Sequence, residues 1–563
     1  MMLRRMAFAA LAAGLAVLAA LLVPFEWYPP AWQTRLVVWF GPGEYRSPPP
    51  SVQPAAAETQ EARCPDDLLG WREAQVIDGV PVRASHACSP DNPYAVAAFV
   101  KGTNNVSDAT LMQSRLAPTA VTKGRDLDGD GDPDEIHIRL QVVELNGGSP
   151  DIDQPVTTFP IAPGIQPGFW VFAPETFGMA TVNFESLEAM PLLRVPSPVI
   201  RVEQGDRVQL TLENGHYMPH TIHLHGVDHP FLDANGEGND GPPQTSEMPV
   251  MPGASRTYEM QPRQPGTMFY HCHVQPQIHI LMGLNGMFVV EENRPDNWLQ
   301  TMNVGAGEVR HPSQAVLENY DSEHDLHYMD ADRQLHDLIQ RHNDQRLTIE
   351  QMHRRYDITD GTTDYYMLNG RSFPYTFRES LVVAQADQRI KLRVLNGGQH
   401  GIALHTHGHK VRITHYDGVE HPEPAQITRD VVWVAPAQRV DLALRTVNDG
   451  LHSYGPGIWL MHDHREVGVT TDGISPGGNV SAIVYEQFLG EDGFPAVRGV
   501  SWDKYFTPDY YAARVPIWWE YDPFGGISEV LRTDARVVRL AALGLVVMLC
   551  LLALSQALAP RRR

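Results

Sequence analysis

Cysteine is scarce in this chain, with four in 563 residues: Cys64, Cys88, Cys272 and Cys550. They stand in unlike contexts, so the count implies no disulfide framework. Cys64 and Cys88 lie close together in a polar, Pro-rich stretch. If that stretch is exported they form a bridge; otherwise they are two separate thiols. Positive charge is also short. Lys and Arg number 44 against 67 Asp and Glu, a net charge of −23. That balance argues against nucleic acid as a main partner and draws cations toward the surface. Hydrophobic residues make up 43% and charged residues 20%, which excludes a disordered chain. The length exceeds one ordinary domain and suggests three or four units of about 150 residues.

Turn formers are abundant, with 46 Gly and 45 Pro, which fits a β-rich fold. The two ends differ from the middle. Twenty uncharged, mostly apolar residues separate Arg5 from Glu26, long enough to cross a bilayer as a helix. Residues 1–26 read as a membrane anchor held with its N-terminus in the cytoplasm by Arg4 and Arg5; a cleaved signal peptide is the alternative. A second uncharged run from Leu540 to Pro560 makes residues 536–563 a second expected span with a basic tail. The expected location is therefore membrane-anchored, with the middle of the chain on the periplasmic or extracellular side.

Residues 27–114 read as a Pro/Ala-rich linker with a small N-terminal segment. Beyond them comes an alternating acidic run, Asp126, Asp128, Asp130, Asp132 and Asp134, with Gly131 at the sharp turn. It matches the start of a calcium loop but has His137, not Glu, at position twelve. An acidic surface turn is the other reading. Two segments then repeat each other. Residues 203–226 read EQGDRVQLTLENGHYMPHTIHLHG and residues 385–408 read QADQRIKLRVLNGGQHGIALHTHG. Val208, Leu210 and Leu212 alternate with polar residues, as do Ile390, Leu392 and Val394, the period of half-buried strands. GTMFYHCH (266–273) pairs with GIWLMHDH (457–464). Four matched blocks in the same order imply two copies of one β-rich domain, at 115–292 and 364–490. Residues 293–363 read as a linker, helical and solvated over about 320–356, and residues 491–535 as a C-terminal extension.

Histidine carries the chemistry. Of five His-x-His triplets, all fall within the repeated blocks: His223/His225, His271/His273, His405/His407, His407/His409 and His462/His464. On a strand, residues i and i+2 share a face and i+1 takes the other. His271 and His273 can then face one metal site while Cys272 enters its own domain. Cys272 with His279, Met282 and His220 offers one thiolate, two imidazoles and a weak thioether, the ligand set of a blue-copper electron-transfer centre. Zinc competes for such a set but rarely takes Met. The four paired motifs supply eight imidazoles for a second, larger site.

The motifs HTIHLHG, YHCHVQPQIHILMG, LHTHGH and MHDH resemble, as an ordered set, those of multicopper oxidases of the laccase type. The resemblance implies an all-β fold of two cupredoxin-like Greek-key barrel or sandwich domains, with the helical linker and terminal transmembrane helices added. It implies four coppers per chain. His220, Cys272, His279 and Met282 match the type 1 copper. His223 and His405 match the type 2 copper. His225, His271, His273, His407, His462 and His464 match the type 3 pair. Aligned on Asn214 and Asn396, the second repeat has Ile402, Asp463, Thr470 and Gly473 at the type 1 positions, so only the first repeat keeps that centre. The pattern is that of two-domain laccases, and it implies a homotrimer in which domain 1 of one subunit meets domain 2 of the next. His409 matches no ligand position.

The expected reaction is one-electron oxidation of a donor at the type 1 site, near His279, coupled to reduction of dioxygen to water. Asp240 resembles the family's proton-relay acid, and Asp228 is a further candidate. The acidic surface favours Cu(I), Fe(II) or Mn(II) as donors; phenols remain open. Met248, Met251 and Met260 are candidate soft ligands for Cu(I). A copper nitrite reductase would need one metal at the interface and leave imidazoles surplus. A copper store or carrier would not need Cys272 between two His.

Overall fold

The computed structural model describes residues 117–148 (except 118), 159–175, 193–295, 297, 299, 301–303, 307–309, 319–342, 344–498 and 500–512, with short stretches between 8 and 15, 71 and 86, and 542 and 553. Cys64, Cys88 and most of 27–114 lie outside them. Within that segment only two short strand pairs are described, Trp71–Arg72 with Ser85–His86 and Gln75–Ile77 with Val80–Val82.

Residues 49–514 form one compact unit; 1–48 and 515–563 form another. In the terminal unit, Cys550 Sγ donates to the Ala12 carbonyl (3.3 Å). Among the described residues no helix is long and apolar enough to cross a membrane, so the two expected terminal spans find no support in the described helices.

The main unit holds two sandwiches. In the first, one sheet runs Ser255–Met260, Arg207–Glu213, Glu135–Leu145 and Val121–Lys123, with Phe169–Pro174 also paired to Glu135–Leu145. The other runs His223–His225, Gly266–His271, Asn285–Glu291, Val199–Glu203 and Met302–Asn303. Alternation sets the faces. Ile136, Ile138, Leu140 and Val142 enter the core with Met268, Tyr270 and Cys272, whereas Phe269, Met287 and Val289 form a separate cluster on the far face.

The second sandwich repeats this plan. In each repeat two strand pairs are parallel. Glu135–Leu145 with Arg207–Glu213 corresponds to Ser322–Ala331 with Arg389–Asn396. Val199–Glu203 with Asn285–Glu291 corresponds to Val382–Ala384 with Ser481–Tyr485. The second repeat therefore begins with the strand Ser322–Ala331, inside the stretch read as a solvated helical linker. Its sequence, SEHDLHYMDA, looks polar because both of its faces are buried for different reasons. Leu326 and Tyr328 enter the core of the second sandwich, while Glu323 and Asp325 face ion-pair partners on the first. Helix follows at Arg333–His336, Leu338–Arg341 and Gln345–Arg354. It is not solvated either, since Leu335, Leu338, Ile339 and Met352 join the core of the first sandwich. Beyond the second repeat, Trp502 and Tyr505 pack on Phe373, so the described start of the C-terminal extension belongs to this sandwich.

The sandwiches meet through the His-bearing sheet of the first and the Ser322–Ala331 sheet of the second. Leu395 packs into the Phe269 cluster. Around it lies a buried charge network. Arg393 donates to Glu291 (3.1 Å), Thr267 (3.0 Å) and Asp441 (3.1 Å), and Arg201 donates to Asp325 (2.7 Å) and Glu323 (3.1 Å).

Candidate metal centres

The local fold explains how the first centre forms. The strand Gly266–His271 ends at Cys272, whose amide donates to the Leu284 carbonyl (3.0 Å). A short helix, Pro276–His279, then turns the chain back and brings His279 beside the thiol, with Met282 three residues on in the same buried cluster. His220 arrives from the preceding loop, pinned by paired backbone bonds with Val250. Cys272 Sγ lies 3.3 Å from His279 Nδ1 and 3.6 Å from His220 Nδ1. All three residues and Met282 are buried. An ion bound at normal N and S distances in a trigonal plane separates its donors by about 3.7 Å, so the set fits one metal. Electrostatics agree. Burial pushes the thiol up to about 12 and both imidazoles well below their ordinary value. The pocket thus holds neutral rings and disfavours a thiolate unless a cation accompanies it.

The paired histidines form two further groups with the same internal geometry. In the first, His223 sits opposite His271 across the strand pair. His225 Nε2 and His271 Nε2 are 2.9 Å apart, and His271 Nδ1 is held by the Cys272 carbonyl (2.9 Å). His223 Nδ1 is held by the Asp240 carbonyl (2.6 Å), and the His273 ring lies 5.2 Å from the His223 ring. In the second, His405 sits opposite His462. His407 Nε2 and His462 Nε2 are 3.3 Å apart, His462 Nδ1 meets the Asp463 carbonyl (3.1 Å), and His405 Nδ1 meets the Asp430 carbonyl (2.8 Å). The His464 ring lies 5.3 Å from that of His405. Such carbonyl bonds fix which ring nitrogen is free to ligate. Burial, then neighbouring imidazoles, lower His225 to about 4. Burial also lowers His271, to about 3. Both are neutral, as ligands must be.

The structure brings together four imidazoles in each group but does not join the groups within one chain. Among the described residues, the candidate ligand sets fall into separate clusters.

The sequence-predicted carboxylates fare differently. Asp240 Oδ1 lies 3.3 Å from His223 Nδ1 and 3.5 Å from His229 Nε2. Asp228 is committed elsewhere, since Arg263 bonds it at 2.6 Å and holds its carboxyl below the usual range. In the acidic loop, Asp126, Asp128 and Asp134 converge. Desolvation and the neighbouring Asp132 and Asp128 push Asp130 up to about 8. Asp132 points elsewhere and accepts from the Asn297 amide (2.8 Å). His409 is a buried packing residue bonded to the Tyr485 hydroxyl (3.0 Å). Met248 and Met251 are exposed, while Met260 is buried.

In the second repeat, Ile402 and Asp463 stand at the positions of His220 and Cys272, both buried. Asp463 accepts from the Ala403 amide (2.9 Å) and pairs with Arg465 (2.7 Å), so an ion pair fills the place of the first centre.

Sequence reasoning missed His216, Glu144, Trp170 and Tyr217, which surround His220. His216 Nδ1 lies 2.9 Å from His220 Nε2, and Glu144 Oε2 accepts from Tyr217 (2.7 Å) and Trp170 (3.0 Å). His216 was within sight, four residues before His220. Glu144 comes from a distant strand and left no spacing signal.

Two family models, both described as multicopper oxidase, match residues 193–295 and 345–471. An iron transport multicopper oxidase FET3 from Gibberella zeae is 25% identical over 346 residues, covering 56% of this chain and 49% of that protein. Laccase-2 from Trametes versicolor is 40% identical over 102 residues, 17% of this chain and 18% of that one. The chain thus spans about half or less of the length of these relatives. A solved blue copper oxidase from Nitrosomonas europaea is 24% identical and covers 67% of this chain and 92% of its own, with a TM-score of 0.46. The folded repeats, their candidate metal-ligand geometry and the two matches agree: each repeat of this mostly β chain carries a stretch that matches a multicopper oxidase family model.

Proposed function

We propose that the protein couples one-electron oxidation of a reducing donor to the four-electron reduction of dioxygen to water, using four coppers per chain. His220, Cys272, His279 and Met282 would hold the type 1 ion. His223 and His405 would hold the type 2 ion, and His225, His271, His273, His407, His462 and His464 the type 3 pair. Bound copper supplies the one-electron redox chemistry. The chain's own residues position it: Cys272 and its two His neighbours serve both sites from one strand end, which carries the reading. Asp240, with its carboxylate 30% exposed and 3.3 Å from His223, would pass protons between solvent and the site.

Two separated half-sites support completion by a second copy, and a closed ring of copies, a homotrimer, satisfies every half-site. Exposed apolar side chains occur on both sandwiches: Phe231, Leu232, Met248 and Met251 on the first, Ile427, Val431, Trp433 and Val467 on the second. Convergence of all four imidazoles in each half disfavours a nitrite reductase, which would use one interface metal, and the strand through Cys272 disfavours a store. The chain's net charge of −23 supports metal-ion donors such as Fe(II), Cu(I) or Mn(II) over phenols. A membrane-associated location outside the cytoplasm and a calcium ion at Asp126, Asp128, Asp130 and Asp134 belong to the same reading.

Copper content and oxygen uptake test it. About four coppers per chain, blue absorption and donor-dependent oxygen consumption are expected. Two coppers with nitrite turnover, or a colourless protein after full loading, would refute it.

A further inference from the structure

Of the two imidazoles facing Cys272, His279 is sealed. It is wholly buried, and its outward Nε2 has no hydrogen-bond partner. The roof is made by this chain. Trp170 stands edge-on to the His279 ring at 5.3 Å, and the helical segment after Ala331 covers the same end of the sandwich. That segment is stitched down by Gln340 to the Gln166 carbonyl (2.6 Å) and by the Gly148 amide to the Ile339 carbonyl (2.8 Å). A donor molecule therefore cannot touch His279.

His220 has a way out. Its Nε2 meets His216 Nδ1 at 2.9 Å. With a metal on His220 Nδ1, the Nε2 proton is donated to His216, which leaves the His216 proton on its own Nε2. That atom is buried without a hydrogen-bond partner and faces Glu144 Oε2 at 3.7 Å. Glu144 is 22% exposed, so the carboxylate is where this chain of groups reaches solvent. Tyr217 and Trp170 fix it in place through its other contacts.

The geometry points to His216 as the route by which electrons reach the type 1 site, with Glu144 positioning that ring and attracting cationic one-electron donors. This deepens, and rests on, the copper oxidase reading. One electron leaves a reducing metal ion, which rises by one unit of charge, and reduces copper(II) to copper(I). No bond is made or broken. Reducing metal ions are then the favoured substrate class, because a neutral phenol gains nothing from the carboxylate.

The test uses the copper-loaded full chain under anaerobic conditions and follows bleaching of the blue absorption by Fe(II) and by a neutral phenol. Glu144→Gln is expected to slow bleaching by Fe(II) at least tenfold while slowing the phenol much less, and to raise the type 1 reduction potential. His216→Phe, which keeps a ring against Trp170, is expected to slow both donors, with partial rescue by His216→Gln. Leu338→Ala and Met352→Ala, in the roof, are expected to leave the Fe(II) rate unchanged. In every variant the blue band and the rate of reoxidation by dioxygen report that the metal sites are intact. Variants of Glu144 and His216 that keep the blue band and bleach at the parent rate would overturn the route. So would a tenfold gain in either donor's rate on opening the roof. Equal slowing of Fe(II) and phenol in Glu144→Gln would overturn the preference for cations. Absence of a blue band in the parent protein would instead sink the copper reading itself.

Discussion

The shared-site reading predicts complementation between two inactive chains. The two His groups lie on different layers. His223, His225, His271 and His273 belong to the sheet of the first sandwich that meets the second. His405, His407 and His462 belong to the far sheet of the second sandwich, beyond the sheet that makes the contact. Packed sheets stand about 10 Å apart, so the halves are separated by roughly 20 Å within a chain. The paired nitrogens inside each half are 2.9 and 3.3 Å apart, so no side-chain motion closes that gap. One chain carries His223→Ala and His271→Ala, the other His405→Ala and His462→Ala. Alone, each should consume no oxygen. Co-expressed in equal amounts and assembled at random, an interface joins two intact halves in about one case in four. Oxygen uptake should recover to about a quarter of the parent value, with copper in the shared site recovering in step. Activity that stays at zero in verified mixed oligomers would refute the reading, because a site closed within one chain cannot be rescued.

Three further outcomes follow from particular side chains. Cys272→Ser should abolish the blue absorption and lower copper content by about one ion per chain while the eight imidazoles keep the rest, as read by metal analysis and electron paramagnetic resonance. Arg393→Met strips Asp441 of its arginine and leaves Glu291 and Glu323 with Arg201 alone; it should cost about 3–5 kcal/mol in urea unfolding, and a loss under about 1 kcal/mol would show that apolar packing holds the sandwiches together. Asp206 is buried, and desolvation pushes its carboxyl up to about 7 from an ordinary value of 3.8. Its contribution to stability is therefore full below pH about 4 and lost as pH rises through about 7, by no more than about 4 kcal/mol. Asp206→Asn should flatten that part of the stability-versus-pH curve, and an unchanged slope would place the effect on other groups.

Much of the site was legible because alternation on a strand is a rigid rule. HCH and HDH segments at matched positions could only put two imidazoles on one face and the middle residue on the other. The registers that set His223 opposite His271 and His405 opposite His462 come from strand pairing, which the rule does not supply. The inward position of Asp463 at the place of Cys272 follows from the rule directly. What failed was hydrophobic patterning at Ser322–Ala331. Patterning assumes that a buried face is apolar, and here one face is buried against charge, with Glu323 and Asp325 meeting Arg201 and Arg393. A sandwich packed on a second sandwich can hide a polar strand, and no local window distinguishes it from a solvated helix. Glu144 was illegible for a related reason. Its role depends on the return of the strand Glu135–Leu145 to a loop some seventy residues later, which only the tertiary fold brings about.

On the proposed reading, the divergence of the repeats bears on why a single chain would not suffice. Their outward faces match, carbonyl bond for carbonyl bond, from His223 on Asp240 and His405 on Asp430 to His271 on Cys272 and His462 on Asp463. Their inward faces do not. Where the first repeat offers a thiol between two imidazoles, the second spends the same position on the ion pair of Asp463 and Arg465. On the proposed reading, each chain then has one half-site wired to an electron source and one that is not. Because the two stand on different layers, the unwired half can receive electrons only through a wired half brought by another copy. Loss of the inner centre in one repeat and dependence on a neighbouring copy are then two consequences of the same geometry. A variant that restored a thiol and its imidazoles at Asp463, Ile402 and Thr470 would add a second source of electrons without removing the need for the neighbour.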